Sequence, residues 1–227
     1  MEKILAPSIL AADIMKLGEQ IEEVKREGAK YLHIDVMDGM FVPALSYGMC
    51  VVESIRSSCD MVLDVHLMII EPERYVEAFA KAGADIITFH LEACADVRGT
   101  IDLIHRVGCR AGVSIKPGTE LEAVEEYLDC IDLLLIMSVE PGFGGQKYFP
   151  ESTGRIRRAA EMIAACGRQI ELEVDGGIGP ANAEMVLDAG ADVLVAGSSV
   201  FRDPAKNAAA IMEVINRKTG KHNRIRG

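Results

Sequence analysis

The sequence predicts an α/β protein built as a single (β/α)8 TIM barrel. Three observations carry that expectation. Short apolar runs alternate with longer amphipathic ones along the 227 residues, eight of each. Strands that alternate with helices in this way pair in parallel through right-handed crossovers. Eight such units in this length favour a closed barrel over an open doubly wound sheet.

The first strand is the run 4–6, and an amphipathic stretch at 14–27 follows it and stops at Gly28. The second strand occupies 31–35, a helical pattern 50–57, and the third strand 61–66. Pro72 opens the helix 72–82 at its first turn, and Gly83 closes it ahead of a strand at 85–89. A helix at 97–107, ended by Gly108, leads to a strand at 110–115, a helix at 120–128 and a strand at 133–136. The last third holds a helix at 153–166, a strand at 170–174, a helix at 181–189 ended by Gly190, a strand at 193–196 and a helix at 204–217 opened by Pro204. No linker-like segment or charge block divides the chain, so 1–227 is expected to form one domain, with 218–227 a flexible basic tail.

Composition narrows the function classes. Aliphatic residues dominate the 49% hydrophobic content and aromatics make up only 5%, as expected of strands buried on both faces. A net charge of −11 argues against nucleic acid. It also requires that any anionic ligand be captured locally, by backbone amides. No run approaches the ~20 apolar residues of a membrane span, and the N-terminus lacks the pattern of a signal peptide. The six cysteines are scattered without zinc-type spacing and are expected to be reduced and mostly buried, in a cytoplasmic protein.

Polar residues then mark every strand end. Ser8 follows the first strand, His33 and Asp35 end the second, His66 ends the third, and His90, Lys116, Ser138, Asp175 and Ser198 follow the remaining five. In a parallel barrel these ends open on one face, where barrel enzymes keep their sites. His33 and Asp35 are two apart and share a face. With His66 and Asp175 they make a His2Asp2 set that could ligate one divalent metal ion such as Zn, Fe, Mn or Co; any one of them alone reads better as a core histidine or a helix cap, but the four together at strand ends do not. His90 reads as a group that orients a ligand, Lys116 as a solvated lysine or a phosphate contact, and His105 and His222 as surface residues.

Glycines form the second constellation. The segments Pro141-Gly-Phe-Gly-Gly-Gln146, Asp175-Gly-Gly177 and Gly197-Ser-Ser199 follow strands six, seven and eight. Glycine lets backbone N–H groups approach an anion, and the loops after strands seven and eight are where barrels hold phosphate. Met37, Met68 and Met137 follow strands two, three and six, either as core residues or as an apolar wall of the site. No G-x-G-x-x-G fingerprint opens a helix, so no dinucleotide is implied.

The segments Pro7-Ser-Ile-Leu10, His33-Ile-Asp-Val-Met-Asp-Gly39, Phe41-Val-Pro43, His66-Leu-Met68, Met137-Ser-Val-Glu-Pro-Gly-Phe-Gly-Gly-Gln146 and Glu173-Val-Asp-Gly-Gly177 resemble the ribulose-phosphate 3-epimerase family, in order from about residue 4 to 202. The resemblance implies a barrel of the ribulose-phosphate-binding type that interconverts D-ribulose 5-phosphate and D-xylulose 5-phosphate. It implies His33, Asp35, His66 and Asp175 as metal ligands, with Asp35 and Asp175 also the acid–base pair. Substrate contacts would come from Ser8, His66, Gly142, Phe143, Gly144, Gly145, Asp175, Gly176, Gly177, Gly197 and Ser198, and the assembly would be a homo-oligomer. Met40 and Ala44 depart from the family's usual His and Asn, which brings in a six-carbon substrate such as D-allulose 6-phosphate as the alternative. A related phosphosugar decarboxylase is disfavoured, because its Asp-x-Lys-x-x-Asp pattern is missing from the strand that reads Asp35-Val-Met37-Asp38. A silent phosphosugar-binding barrel would not need two opposed carboxylates.

Overall fold

The computed structural model of the chain describes residues 1–220. Among them run eight strands: β1 (Ile4–Pro7), β2 (Tyr31–Met37), β3 (Val62–Met68), β4 (Ile86–His90), β5 (Arg110–Ile115), β6 (Leu133–Met137), β7 (Glu171–Asp175) and β8 (Val193–Ala196). All ladders are parallel, in the order β1-β8-β7-β6-β5-β4-β3-β2. A single backbone bridge between Ser8 and His33 links β1 to β2 and brings the sheet round into a nearly closed barrel. The helices between are α1 (Leu17–Arg26), α2 (Met49–Arg56), α3 (Val76–Ala82), α4 (Val97–Arg106), α5 (Ser152–Cys166), α6 (Ala183–Asp188), α7 (Ser198–Phe201) and α8 (Pro204–Lys218). None of the described helices is long and apolar enough to cross a membrane.

Strand alternation divides the interior in two. Outward residues such as Leu5, Leu32, Ile34, Leu63 and Val65 pack with the helices in one large aliphatic core. Inward residues such as Ile4, Ala6, Ile86, Leu133, Leu135, Val193 and Val195 fill a smaller core inside the barrel. Full burial of each Val, Leu or Ile among them contributes about 1.5–3 kcal/mol. The inner face is not apolar throughout. His33, Asp35, Asp64, His66, Thr88, His90, Ser114 and Glu173 are all buried.

The floor of the barrel is closed by a polar plug. Arg110 Nη2 lies 2.7 Å from Glu171 Oε2, its Nη1 donates to the Tyr31 hydroxyl at 2.9 Å, and that hydroxyl donates to Glu171 Oε1 at 3.0 Å. Burial, and then the charge of Glu171, push Tyr31 up to about 12. Arg110→Met strips Glu171 and Tyr31 of a donor. It should cost about 1–3 kcal/mol of stability, read as a lower denaturant midpoint, with turnover unchanged because the plug lies at the end remote from the mouth.

Several elements differ from the sequence expectation. The segment expected as helix 120–128 is a 3-10 helix, Leu121–Tyr127. Its inward residues Leu121, Val124 and the half-buried Tyr127 recur every third position, which matches three residues per turn. Strands β2 and β3 run on to Met37 and Met68, because the ladder between them continues through that pair; the methionines expected after the strands are their last residues. Met137 likewise ends β6. The short α7 was not anticipated. All six cysteines are free, but only Cys59 and Cys109 are buried, whereas Cys50 and Cys166 are exposed on helices, so the expectation of mostly buried thiols fails. Lys218, expected to begin a flexible tail, ends α8 and pairs with Asp188 at 2.7 Å and Glu184 at 3.1 Å. The remainder of that tail, from 221 on and including His222, lies outside the described residues.

Candidate active site

The strand ends gather at one mouth. Ser8, just past β1, caps the 3-10 turn Ile9–Ala11 by accepting from the Leu10 N–H, and its hydroxyl donates to Asp35 Oδ2 at 2.5 Å. The other oxygen of Asp35, Oδ1, faces His66 Nδ1 at 3.2 Å and His33 Nε2 at 3.4 Å. Asp35 and His66 stand directly opposite in the β2–β3 ladder. His33 is turned by Asp64, whose Oδ2 lies 2.6 Å from Nδ1. Asp175 ends β7 opposite Met137, and its backbone is braced by Ser138, whose hydroxyl donates to the carbonyls of Asp175 (2.9 Å) and Gly176 (2.7 Å).

The two aspartates have opposite proton affinities. Burial opposes the charge of Asp35, but the imidazoles of His33 and His66 outweigh it and hold this carboxyl well below the usual range. Burial, reinforced by the charge of Asp35, pushes Asp175 up to about 7. Two neighbouring carboxyls driven apart in this way can serve as base and acid in one reaction. Burial lowers His66. His33 is also opposed by burial, yet Asp64 and Asp35 carry it well above the usual imidazole range.

His33, Asp35, His66 and Asp175 offer ligand atoms that all lie within 4.8 Å of one another. With His33 Nδ1 engaged by Asp64, its Nε2 is left buried without a hydrogen-bond partner among the described residues. A buried, unpartnered nitrogen in a His2Asp2 set suits a borderline divalent cation. A buried site able to bind a divalent metal is therefore present.

Above this cluster opens a pocket whose wall includes Ser8, Asp35, Asp175, the three methionines, and the glycines at 142, 144, 145, 176, 177 and 197 with Phe143 and Ser198. The structure thus brings the expected substrate contacts together, with one exception: His66 is fully buried beneath the wall and does not reach it. Met37 and Met68 pack with Val42 as an apolar rim. Lys116 is not at the glycine loops; its Nζ sits 3.8 Å above the ring of Phe41. Asp38 binds the N–H groups of Met40 (2.8 Å), Phe41 (2.9 Å) and Ile70 (2.8 Å), tying the loop after β2 to that after β3.

Comparison with known proteins decides the kinship. The family model for the ribulose-phosphate 3-epimerase family matches residues 4–201. The chain belongs to that family. It is 49% identical over 217 residues to the ribulose-phosphate 3-epimerase of Synechocystis sp., covering 95% of this chain and 94% of the relative. It is 48% identical over 198 residues to the ribulose-phosphate 3-epimerase of Bacillus subtilis, covering 87% and 91%. The crystal structure of 3-keto-L-gulonate-6-phosphate decarboxylase from Vibrio cholerae O1 biovar El Tor shares the fold, with a TM-score of 0.71 at 15% identity over 96% of this chain and 99% of that one. The epimerase family therefore meets the same barrel that carries a decarboxylase, and residues rather than fold separate them.

Three further residues that adjoin the His/Asp cluster were not singled out in the sequence. Asp64 and Glu173 each stand two residues before a recognised one, His66 and Asp175, so strand alternation could have found them. Glu173 is fully buried, and burial with the charge of Asp64 raises it well above the usual carboxyl range. Glu92 lies in a 3-10 turn after β4, and its contacts with the loop after β5 carry no local signature.

Proposed function

We propose that the chain interconverts D-ribulose 5-phosphate and D-xylulose 5-phosphate by moving a proton at carbon 3. The observation that carries this reading is the pair of carboxyls, Asp35 and Asp175, facing one pocket edged by glycine loops. In one direction the ionised Asp35 removes the carbon-3 proton, giving a planar enediolate. Asp175 then returns a proton to the opposite face, leaving Asp35 protonated and Asp175 ionised; the reverse reaction starts from that state. Ser8, donating to Asp35 Oδ2, orients the base. The methionine rim excludes water from the enediolate.

His33 through Nε2, His66 through Nδ1, Asp35 and Asp175 would hold one ion of Zn, Fe, Mn or Co. Such an ion supplies Lewis-acid stabilisation of the negative charge that develops on the sugar oxygens. The phosphate is gripped by N–H groups of the loops at 142–145, 176–177 and 197–198 with the Ser198 hydroxyl, which answers the charge of −11. Met40 and Ala44, the departures that brought in the hexose phosphate, do not line the wall around the carboxyls. Six unpaired cysteines fit a reducing, cytoplasmic compartment.

The test is an assay on ribulose 5-phosphate and allulose 6-phosphate before and after chelation. Turnover of the pentose is expected, lost with the metal and restored by a divalent ion. No turnover of either sugar with metal supplied would replace this reading with a phosphosugar-binding barrel.

A further inference from the structure

A chain of side chains leads away from the metal-binding cluster, and the proton transfers proposed above make no use of it. His66 Nε2, on the side of the ring away from Asp35, lies 3.0 Å from His90 Nε2. His90 Nδ1 in turn lies 3.2 Å from Glu92 Oε2. The remaining oxygen of Glu92, Oε1, accepts from the Lys116 N–H at 2.8 Å and from the Thr119 hydroxyl. Glu92 is therefore fixed by two donors from the loop after β5. The His90 ring is held from above by Phe41, with centroids 4.8 Å apart, and Phe41 carries Lys116 on its ring. Both imidazoles are fully buried.

With a cation held by the lone pairs of His66 Nδ1 and Asp35, hydrogen placement in this chain would have one consistent solution. A carboxylate only accepts, so His90 Nδ1 must be the N–H and His90 Nε2 the lone pair. His90 Nε2 then needs a donor, and at 3.0 Å that donor is His66 Nε2–H. A neutral imidazole has one N–H, which leaves His66 Nδ1 as a lone pair aimed at the cluster. If the chain were reversed, His66 Nδ1–H would point at Asp35 Oδ1 and no lone pair would face the cluster.

We infer that Glu92 and His90 are positioning residues that fix the tautomer and ring angle of His66 so that its Nδ1 is held ready for a divalent metal ion. The inference rests on the reading of His66 as a metal ligand. Partners of this kind behind a metal-binding histidine typically affect affinity by roughly 10–100-fold.

The experiment is Mn2+ titration of the metal-free protein, followed by the loss of the free-ion electron paramagnetic resonance signal. The proteins compared are the unaltered chain, Glu92→Gln, His90→Phe and the double variant, with thermal melting of each metal-free protein as the check on folding. Glu92→Gln keeps the shape but presents an amide that cannot accept from His90, Lys116 and Thr119 together. His90→Phe keeps a ring under Phe41 and removes the acceptor. Each single variant should weaken Mn2+ binding by roughly 10–100-fold, and the double variant should be no weaker than the worse single one, because both break the same chain. At saturating Mn2+ the KM for ribulose 5-phosphate should stay within about twofold, since neither residue lines the pocket. Unchanged Mn2+ affinity in a folded Glu92→Gln overturns the positioning role alone. Failure of the unaltered protein to bind Mn2+, or binding that survives His33→Ala and His66→Ala, overturns the ligand assignment and this inference with it.

Discussion

Asp175→Asn should lower the rate of epimerisation by roughly 10²–10⁴-fold, measured as kcat/KM for ribulose 5-phosphate at saturating metal. The reasoning is positional. Ser8 and the two histidines hold Asp35 and keep its carboxyl well below the usual range, whereas burial and the charge of Asp35 push Asp175 up to about 7. An amide at 175 retains the shape and the buried environment but cannot deliver or accept a proton. The remaining carboxylate still reaches one face of the sugar. In deuterated solvent, one epimer should therefore exchange its carbon-3 hydrogen while inversion is lost. Asp35→Asn should show the opposite preference between the epimers. Because both residues belong to the proposed ligand set, metal content must be measured in each variant. Full turnover in either variant, or a loss that metal depletion accounts for entirely, would sink the two-carboxylate mechanism.

The barrel was legible because its signals are periodic and repeated. Runs such as Leu133–Met137, apolar on both faces, have no other comfortable place than a strand covered on each side. The left-handed glycines at 28, 83, 108 and 190 mark where each preceding helix stops. The mouth was legible for a related reason: polar side chains at all eight strand ends are hard to reconcile with a plain core. Sequence reading reached less far inside. Asp64 and Glu173 sit one layer below the mouth, where only strict alternation from His66 and Asp175 would have pointed to them. Glu92 was invisible, since its meaning comes from the Lys116 N–H and Thr119 arriving from the loop after β5. The 3-10 geometry of Leu121–Tyr127 turns on a packing interval of three against four, which a seven-residue segment does not resolve. The seat of Lys116 on the ring of Phe41 joins residues remote in sequence and leaves no local signature.

Gly177→Ala should raise the KM for the phosphosugar by roughly 10–100-fold, the equivalent of losing one charge-assisted hydrogen bond of about 1.5–3 kcal/mol. Gly177 has φ +65°, a left-handed conformation that costs a non-glycine residue of order 1–3 kcal/mol. A Cβ there would also meet backbone: the Tyr148 nitrogen at 2.2 Å, its Cα at 2.8 Å and the Lys147 carbonyl carbon at 2.9 Å. Backbone cannot rotate aside as a flexible side chain would. The segment from 142 to 148 must therefore shift as a unit, and it carries the glycine N–H groups proposed to hold the phosphate. The reacting carboxyl is insulated from that shift. Asp175 is held two residues upstream by the ladder to Met137 and by Ser138, so kcat at saturating sugar should change far less than KM. Gly118→Ala supplies the control, because a Cβ there has nothing within 4 Å and its φ is not in the left-handed region. An unchanged KM in a folded, metal-loaded Gly177→Ala protein would remove the loop after β7 from the phosphate grip and leave the loops after β6 and β8 to bind the anion alone.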